Sequence, residues 1–351
     1  MSFRRWCARS LVLSALVLVS GCASDPEPAS FEFETMGTLA RCDLALPDGM
    51  TAPEAQTMVT AVYDSVTAVF STWHPDTELS RLNRAPADSA VNLSPWLFQC
   101  LDQAERIRIL SEGAFDPTAE PLMRLWGFYQ REGQLPSDTE IDSARALMGD
   151  WAFTGDSEAT KRKADTRFDL GGIAKGYAVD LAAASLRNAG VTDGLVDLGG
   201  NLFCLGGAPE REDWRVGIRD PLDRTTYFAS VTVSGQAVAT SGSYERFVTI
   251  DGERYGHIMN PATGRPAKGV LGVTVFAETA ALADALSTAL FVQGHGVGRI
   301  FLKLLPDPVD VLMVIPGREG EKARVLYTPG LLGRITLLED YADTYDLVEW
   351  R

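Results

Sequence analysis

The sequence predicts an α+β fold. Strand-like segments follow one another through its second half, helical spacing is confined to a few separated stretches, and no repeat of fixed period or low-complexity block interrupts them. Regular alternation of strands with helices would instead point to a doubly wound sheet.

Residues 31–46 alternate as a strand does and are broken at Met36-Gly37-Thr38. Residues 51–70 have helical spacing, with Pro53 near the start. Residues 94–111 predict a second helix, with Ser94 as its cap and Pro95 next. Residues 133–165 are polar and broken, which suits loops around a short helix. Residues 176–189 predict a helix that is apolar on one face and ends before Gly190. Strands are expected at 195–198, 214–219, 228–233, 247–250 and 272–276. A helix over 280–292 should stop at Gly294, with late strands at 309–315 and 323–327.

The N-terminus reads differently. Arg4, Arg5 and Arg9 precede an apolar run over residues 11–19, which is shorter than the ~20 residues a spanning helix needs. Val19-Ser20-Gly21-Cys22 then resembles the lipobox of bacterial lipoproteins. That resemblance implies a signal over residues 1–21, cleavage before Cys22 and acylation of that cysteine. An ordinary cleaved signal with Cys22 as a free thiol is the alternative. Residues 22–30 hold two prolines and read as a tether, leaving 31–351 as one body. Without the three signal arginines, 29 Lys+Arg stand against 47 Asp+Glu, so the charge is −18. So acidic a chain is not expected to bind nucleic acid, although local cations or a metal would still admit an anionic substrate. Cys42, Cys100 and Cys204 form no CxxC pair and no cluster with histidine, which argues against zinc. One disulfide among them, or three buried thiols, both fit.

Three segments carry candidate chemistry. In Phe168-Asp169-Leu170-Gly171-Gly172-Ile173-Ala174-Lys175-Gly176, a glycine pair precedes a helix start. Backbone N–H groups and Lys175 would there suit a phosphate, though a plain strand–turn–helix explains the pattern equally. The spacing is not that of a Walker loop. In Ala283-Asp284-Ala285-Leu286-Ser287-Thr288, a carboxylate sits in an apolar helix with a hydroxyl four residues on. Hard oxygens on one face suit Mg²⁺, whereas an Asp satisfied by a backbone amide or a lysine is the simpler account. The third segment is Thr240-Ser241-Gly242-Ser243-Tyr244 followed by His257-Ile258-Met259-Asn260-Pro261, which contains one of three histidines.

Together these segments resemble the ApbE family of FAD:protein FMN transferases. The same order includes Glu34-Thr35-Met36-Gly37-Thr38, Ser71-Thr72-Trp73, Leu79-Ser80-Arg81-Leu82-Asn83, Gly113-Ala114-Phe115-Asp116-Pro117-Thr118 and Gly199-Gly200-Asn201. The resemblance covers nearly all of the mature chain. It implies an ApbE-like, T-fold-related arrangement of mixed sheets and packed helices in a single catalytic unit. It further implies FAD as substrate and Mg²⁺ held by Asp284, Thr288 and a backbone carbonyl near Gly172. The flavin-contacting motifs fall on Met36, Asn83, Asp169, Lys175, Thr240, Ser241 and His257, and Tyr244 is placed at the flavin's border. His257 is the expected base at an acceptor Ser/Thr hydroxyl, with Asp169 as its rival or as a partner of Lys175. Trp126 and Phe128 are expected in the core. Acceptors would be subunits of membrane redox complexes, outside the inner membrane. One departure stands out: Asn260 replaces the family's usual aspartate and carries no charge. An FAD pyrophosphatase, a non-catalytic flavin carrier and an assembly lipoprotein with a degenerate site are the other readings.

Overall fold

The computed structural model describes residues 27–208 and 212–350. The lipobox and Cys22 lie outside the described residues. Within them, no helix is long and apolar enough to cross a membrane.

The centre is a nine-stranded sheet made of β1 (Glu27–Thr35), β2 (Thr38–Leu46), β3 (Gly194–Leu198), β4 (Asn201–Leu205), β5 (Ala237–Gly242), β6 (Gly272–Ala277), β7 (Asp310–Ile315), β8 (Ala323–Tyr327) and β9 (Tyr345–Glu349). Spatial order equals chain order, and every neighbouring pair is antiparallel except β8 with β9. Residues 27–30, read from the sequence as tether, pair with 43–46 as the start of the edge strand.

Seven helices are described: α1 (Ala52–Phe70), α2 (Glu78–Arg84), α3 (Pro95–Leu110), α4 (Glu120–Leu125), α5 (Asp138–Arg145), α6 (Ala174–Asn188) and α7 (Ala280–Leu302). The apolar faces of α1, α3, α6 and α7 cover one side of the sheet. The other side carries a three-stranded sheet built from Trp214–Arg219, Tyr227–Val233 and Ile335–Leu337. Alternate residues of the central strands therefore enter two cores: Phe203 and Leu205 face the helices, while Leu202 and Cys204 face the small sheet. A satellite cluster of Trp126, Ile141, Val248, Ile250 and Met259 joins α4 and α5 to the ribbon of Phe247–Ile250 and Glu253–Gly256. Trp126 is buried and donates its indole N–H to Gly264 O, so its core role holds. Cys42, Cys100 and Cys204 are buried free thiols.

Register places the functional loops. Ala40 pairs with Leu198, Leu198 with Asn201, and Asn201 with Ala239. The β1–β2 turn, the β3–β4 turn and the end of β5 consequently crowd one end of the sheet. Met36 and Gly37 form the first turn, both with positive φ (48° and 72°), which suits a two-residue hairpin. Gly199 sits so close to the hairpin that a Cβ there would lie 2.4 Å from Thr38 Oγ1. β5 outruns β4 beyond Ala239, so Ser241 extends toward α7.

Candidate active site

Asp284 lies one turn into α7 and is 4% exposed. Burial pushes its carboxyl pKa up, against the opposing pull of Lys175 and the Gly176 amide. Lys175 Nζ is 3.7 Å from Asp284 Oδ1, and the Gly176 N–H donates to Oδ2 at 3.1 Å. That is the simpler account the spacing allowed, an aspartate satisfied by an amide and a lysine. Asn201 completes the group. With its amide turned to satisfy both neighbours, it accepts from Lys175 Nζ at 2.6 Å and donates to Asp284 Oδ1 at 3.3 Å.

Close helix packing makes this contact possible. A Cβ on Gly176 would lie 2.1 Å from the Ala280 carbonyl oxygen, so only glycine lets α6 approach α7 there. Asp180, one turn further along α6, accepts from the Ala280 and Ala281 amides at 2.7 and 2.9 Å. Burial raises its carboxyl to about 6. Together with Thr279, which accepts from the Leu282 amide, it caps the helix that carries Asp284.

The hydroxyls gather one turn beyond. Ser241 Oγ is 2.8 Å from Ser287 Oγ and 3.3 Å from Thr288 Oγ1. A Cβ on Gly172 would lie 3.3 Å from Thr288 Oγ1, which brings the glycine loop beside this face. Asp284, Thr288 and the Gly172 segment are hard-oxygen donors with a single carboxylate, and that set fits Mg²⁺, which keeps several waters of its own. Among the described residues no group of three or more His, Cys, Asp or Glu side chains is placed to hold a metal ion.

The start of α6 is less open to an anion than the sequence implied. The Gly171 amide donates to Asp169 Oδ1 at 2.7 Å, the Ala174 amide to Leu170 O, and the Gly176 amide to Asp284. The positive charge at this helix start is the Lys175 ammonium, and several of its amides are already taken. Asp169 is itself held. Tyr129 donates to its Oδ2 at 2.5 Å, and burial together with this carboxylate pushes the phenol above the usual tyrosine range. Trp73, 64% exposed, packs against Tyr129 with ring centroids 5.2 Å apart and the ring planes tilted by 43°. An open aromatic face thus stands over the Asp169 loop.

His257 projects from the ribbon's end. Its Nδ1 meets Arg246 O at 3.1 Å, which fixes the Nδ1–H tautomer and leaves the Nε2 lone pair free. Burial, then the charges of Arg246 and Lys175, bring its pKa down to about 4. The imidazole is therefore neutral near pH 7. Asn260 accepts from the Ala262 amide at 2.9 Å, so it caps the following turn as an aspartate would.

Lys175, Gly172, Ser241, Asp284 and Thr288 thus belong to one connected group, and His257 feels the charge of Lys175. Asn83 has another task. Its amide accepts from the Phe168 N–H at 2.7 Å and donates to Phe168 O at 2.9 Å, so it clamps the segment leading to Asp169. Thr240 bonds Thr274 on the neighbouring strand at 2.9 Å, and the Tyr244 ring lies against Gly242. Met36 stays at the hairpin tip. Sequence reasoning missed Tyr129, Asn201, Asp180 and Lys161 as parts of this assembly. Lys161 is fully buried and donates to the carbonyls of Asn83, Ala164 and Thr166 at 2.7 to 3.0 Å, while burial lowers its pKa to about 8. The only local hint for Asn201 was its place after two glycines, and nothing local marked Tyr129.

The ApbE family model matches residues 36–313. The chain belongs to the ApbE family. Among its relatives, a Salmonella typhimurium protein named FAD:protein FMN transferase is 34% identical over 330 residues, covering 90% of this chain and 94% of the relative. A Vibrio cholerae protein of the same name is 31% identical over 318 residues, covering 89% and 95%. The solved flavin transferase ApbE from Vibrio cholerae aligns with a TM-score of 0.75 at 31% identity, over 86% of this chain and 97% of that one. The ApbE protein from Thermotoga maritima gives 0.77 at 30%, over 85% and 96%. The mixed sheets with packed helices are the ApbE architecture.

Proposed function

We propose that this chain is an FAD:protein FMN transferase that moves FMN, through its phosphate, onto a Thr or Ser hydroxyl of an acceptor flavoprotein and releases AMP. The observation that carries the reading is the buried Asp284 on α7, paired with Lys175 and Asn201, in a chain whose relatives bear that name.

The hydroxyl oxygen attacks the phosphorus on the FMN side of the pyrophosphate, and the bond from that phosphorus to the bridging oxygen breaks. The electron pair stays on AMP. The hydroxyl proton passes to His257 Nε2, which the Arg246 carbonyl keeps free and neutral. Lys175 balances charge on the phosphate oxygens, with Asn201 steadying its ammonium. Tyr129 holds Asp169 so that the glycine loop keeps its shape, and Trp73 offers a face for an aromatic ring. Asp284, Thr288 and the Gly172 carbonyl would hold Mg²⁺, which when bound supplies Lewis-acid stabilisation of phosphate charge. Acylation at Cys22 would confine the enzyme to the outer side of a membrane, in one layer with acceptor subunits of membrane redox complexes.

The test incubates the full chain in detergent with FAD, Mg²⁺ and a purified membrane redox-complex subunit, then weighs the acceptor and measures AMP. Acceptor gaining the mass of FMN with equal AMP supports transfer. Free FMN with AMP makes the protein a pyrophosphatase, and unchanged bound FAD makes it a carrier. Mass analysis of the purified N-terminus tests acylation, and a metal titration of activity tests Mg²⁺.

A further inference from the structure

α4 ends in a turn that serves two neighbours. Trp126 caps the helix, and the Gly127 and Phe128 amides donate to the Arg124 and Met123 carbonyls, both at 3.0 Å. A helix reverses in this way through a left-handed residue, and Gly127 has φ 81°. A Cβ on Gly127 would run into the Glu132 carbonyl oxygen, so the turn needs glycine on two counts.

Trp126 meets the arm that carries His257. Its ring lies against Tyr255, shortly before His257, with centroids 5.4 Å apart. Its buried indole N–H donates to Gly264 O, beyond His257, at 2.9 Å. Gly264 donates its own N–H to Asn260 O at 2.8 Å, and the Ala267 N–H reaches Ile258 O at 2.8 Å. One side chain thus ties both ends of the arm. Arg145 of α5 adds a second tie, from Nε to Pro261 O at 3.1 Å. Tyr129, on the far side of the same turn, meets the glycine loop. It donates to Asp169 Oδ2 at 2.5 Å, and Asp169 accepts from the Gly171 amide at 2.7 Å.

We infer that the turn from Trp126 to Tyr129 is a bracket that sets the spacing between the His257 arm and the Asp169 loop, and that Trp126 is a positioning residue for His257. The inference rests on the transferase reading, with His257 as the base. The Arg246 carbonyl fixes how the imidazole faces within its own ribbon. The bracket ties that ribbon to the loop from which Lys175 follows. A base must stand within hydrogen-bond reach of the hydroxyl it serves, and a shift of about 1 Å costs about 10²-fold in rate.

The test is a double-mutant cycle on the full chain in detergent, with FAD, Mg²⁺ and a purified membrane redox-complex subunit, assayed below the melting temperature of every variant. Trp126→Phe keeps a ring for Tyr255 and removes the N–H to Gly264. It should lower kcat for transfer by about 10- to 100-fold, with KM for FAD within about two-fold. In a His257→Ala background the same change should alter the residual rate, read as AMP released over hours by concentrated enzyme, by less than about two-fold, because no base is left to misplace. Equal falls in the two backgrounds overturn the inference, since a packing role alone predicts them. So does wild-type kcat in Trp126→Phe, or an unimpaired His257→Ala variant. If Trp126→Phe does not fold, Arg145→Met cuts the more exposed tie in the same cycle. A fall of about three- to ten-fold confined to the His257 background is then expected, and its absence overturns the bracket. A wild type that makes AMP and free FMN without labelling the acceptor removes the transferase reading instead. The cycle read on AMP release still decides the bracket, with water in place of the acceptor hydroxyl.

Discussion

Replacing Asp284 tests charge and shape separately. In Asp284→Ala the Gly176 N–H loses its acceptor and the Lys175 ammonium loses its counter-ion. An orphaned buried N–H costs about 1–3 kcal/mol, and breaking a fully buried ion pair about 3–5 kcal/mol. The Lys175 side chain is 27% exposed and keeps Asn201, so it relaxes toward water and the second figure shrinks. A net loss of about 2–3 kcal/mol is expected, measurable by urea unfolding. Asp284→Asn retains an oxygen for the Gly176 amide and should cost no more than about 1 kcal/mol. Both variants should nonetheless lose FMN transfer at every Mg²⁺ concentration tried, because neither offers a carboxylate. Acceptor mass and AMP release are the assays. Asp284→Asn transferring at near wild-type rate would show that the charge does no chemistry and that Asp284 merely ties α6 to α7.

His257→Ala should bind FAD normally and lose transfer by about 10²–10⁴-fold, the usual contribution of a positioned base; wild-type turnover would shift the role to Asp169. Because the folded His257 pKa of about 4 lies below the ordinary 6.5, the unfolded chain binds the extra proton between those values. Stability should thus rise with pH through pH 4 to 6.5 and be lost as pH falls through it, a slope that His257→Ala flattens in unfolding curves. Lys161→Met leaves the Ala164 and Thr166 carbonyls without this donor, while Asn83 O keeps Arg167, and should lower unfolding free energy by about 2 kcal/mol, with weaker FAD binding through the Asn83 clamp. Gly176→Ala should separate α6 from α7, given the 2.1 Å approach, and an unchanged melting temperature would contradict that packing.

Much of the fold was legible because its signals are local. The Met36-Gly37 turn, the Ser94-Pro95 start of α3 and the alternating Trp214–Arg219 strand each state their structure within a few residues. β4 gave no alternation because both its faces are buried, so Asn-Leu-Phe-Cys-Leu has no polar side to show. The hairpin of Trp151–Thr154 and Glu158–Lys161 hid in polar sequence, where tertiary pairing outweighs pattern. The helix expected to stop at Gly294 instead bends there and resumes. Of the site, Asp284 and Thr288 announced themselves as polar residues in an apolar helix. Their surroundings did not, because Asn83 meets Phe168 across 85 positions and Tyr129 meets Asp169 across 40.

The sheet's strands follow chain order, yet residues 47–193 intervene between β2 and β3. That excursion supplies Asp169, Gly172 and Lys175, while Ser241, His257, Asp284 and Thr288 come from the chain after it. Doubling such a loop adds only about 0.6 kcal/mol to its closure, so its length burdens equilibrium stability little. Contacts this distant in sequence do slow the search for the native state. The two halves of the site meet where α6 packs against α7. A ligand that bridges them can therefore bind only the completed fold. At a hundredfold excess over its dissociation constant it would stabilise the chain by about 2.7 kcal/mol, and cooperative unfolding would register this as a shift of the whole transition rather than of one loop.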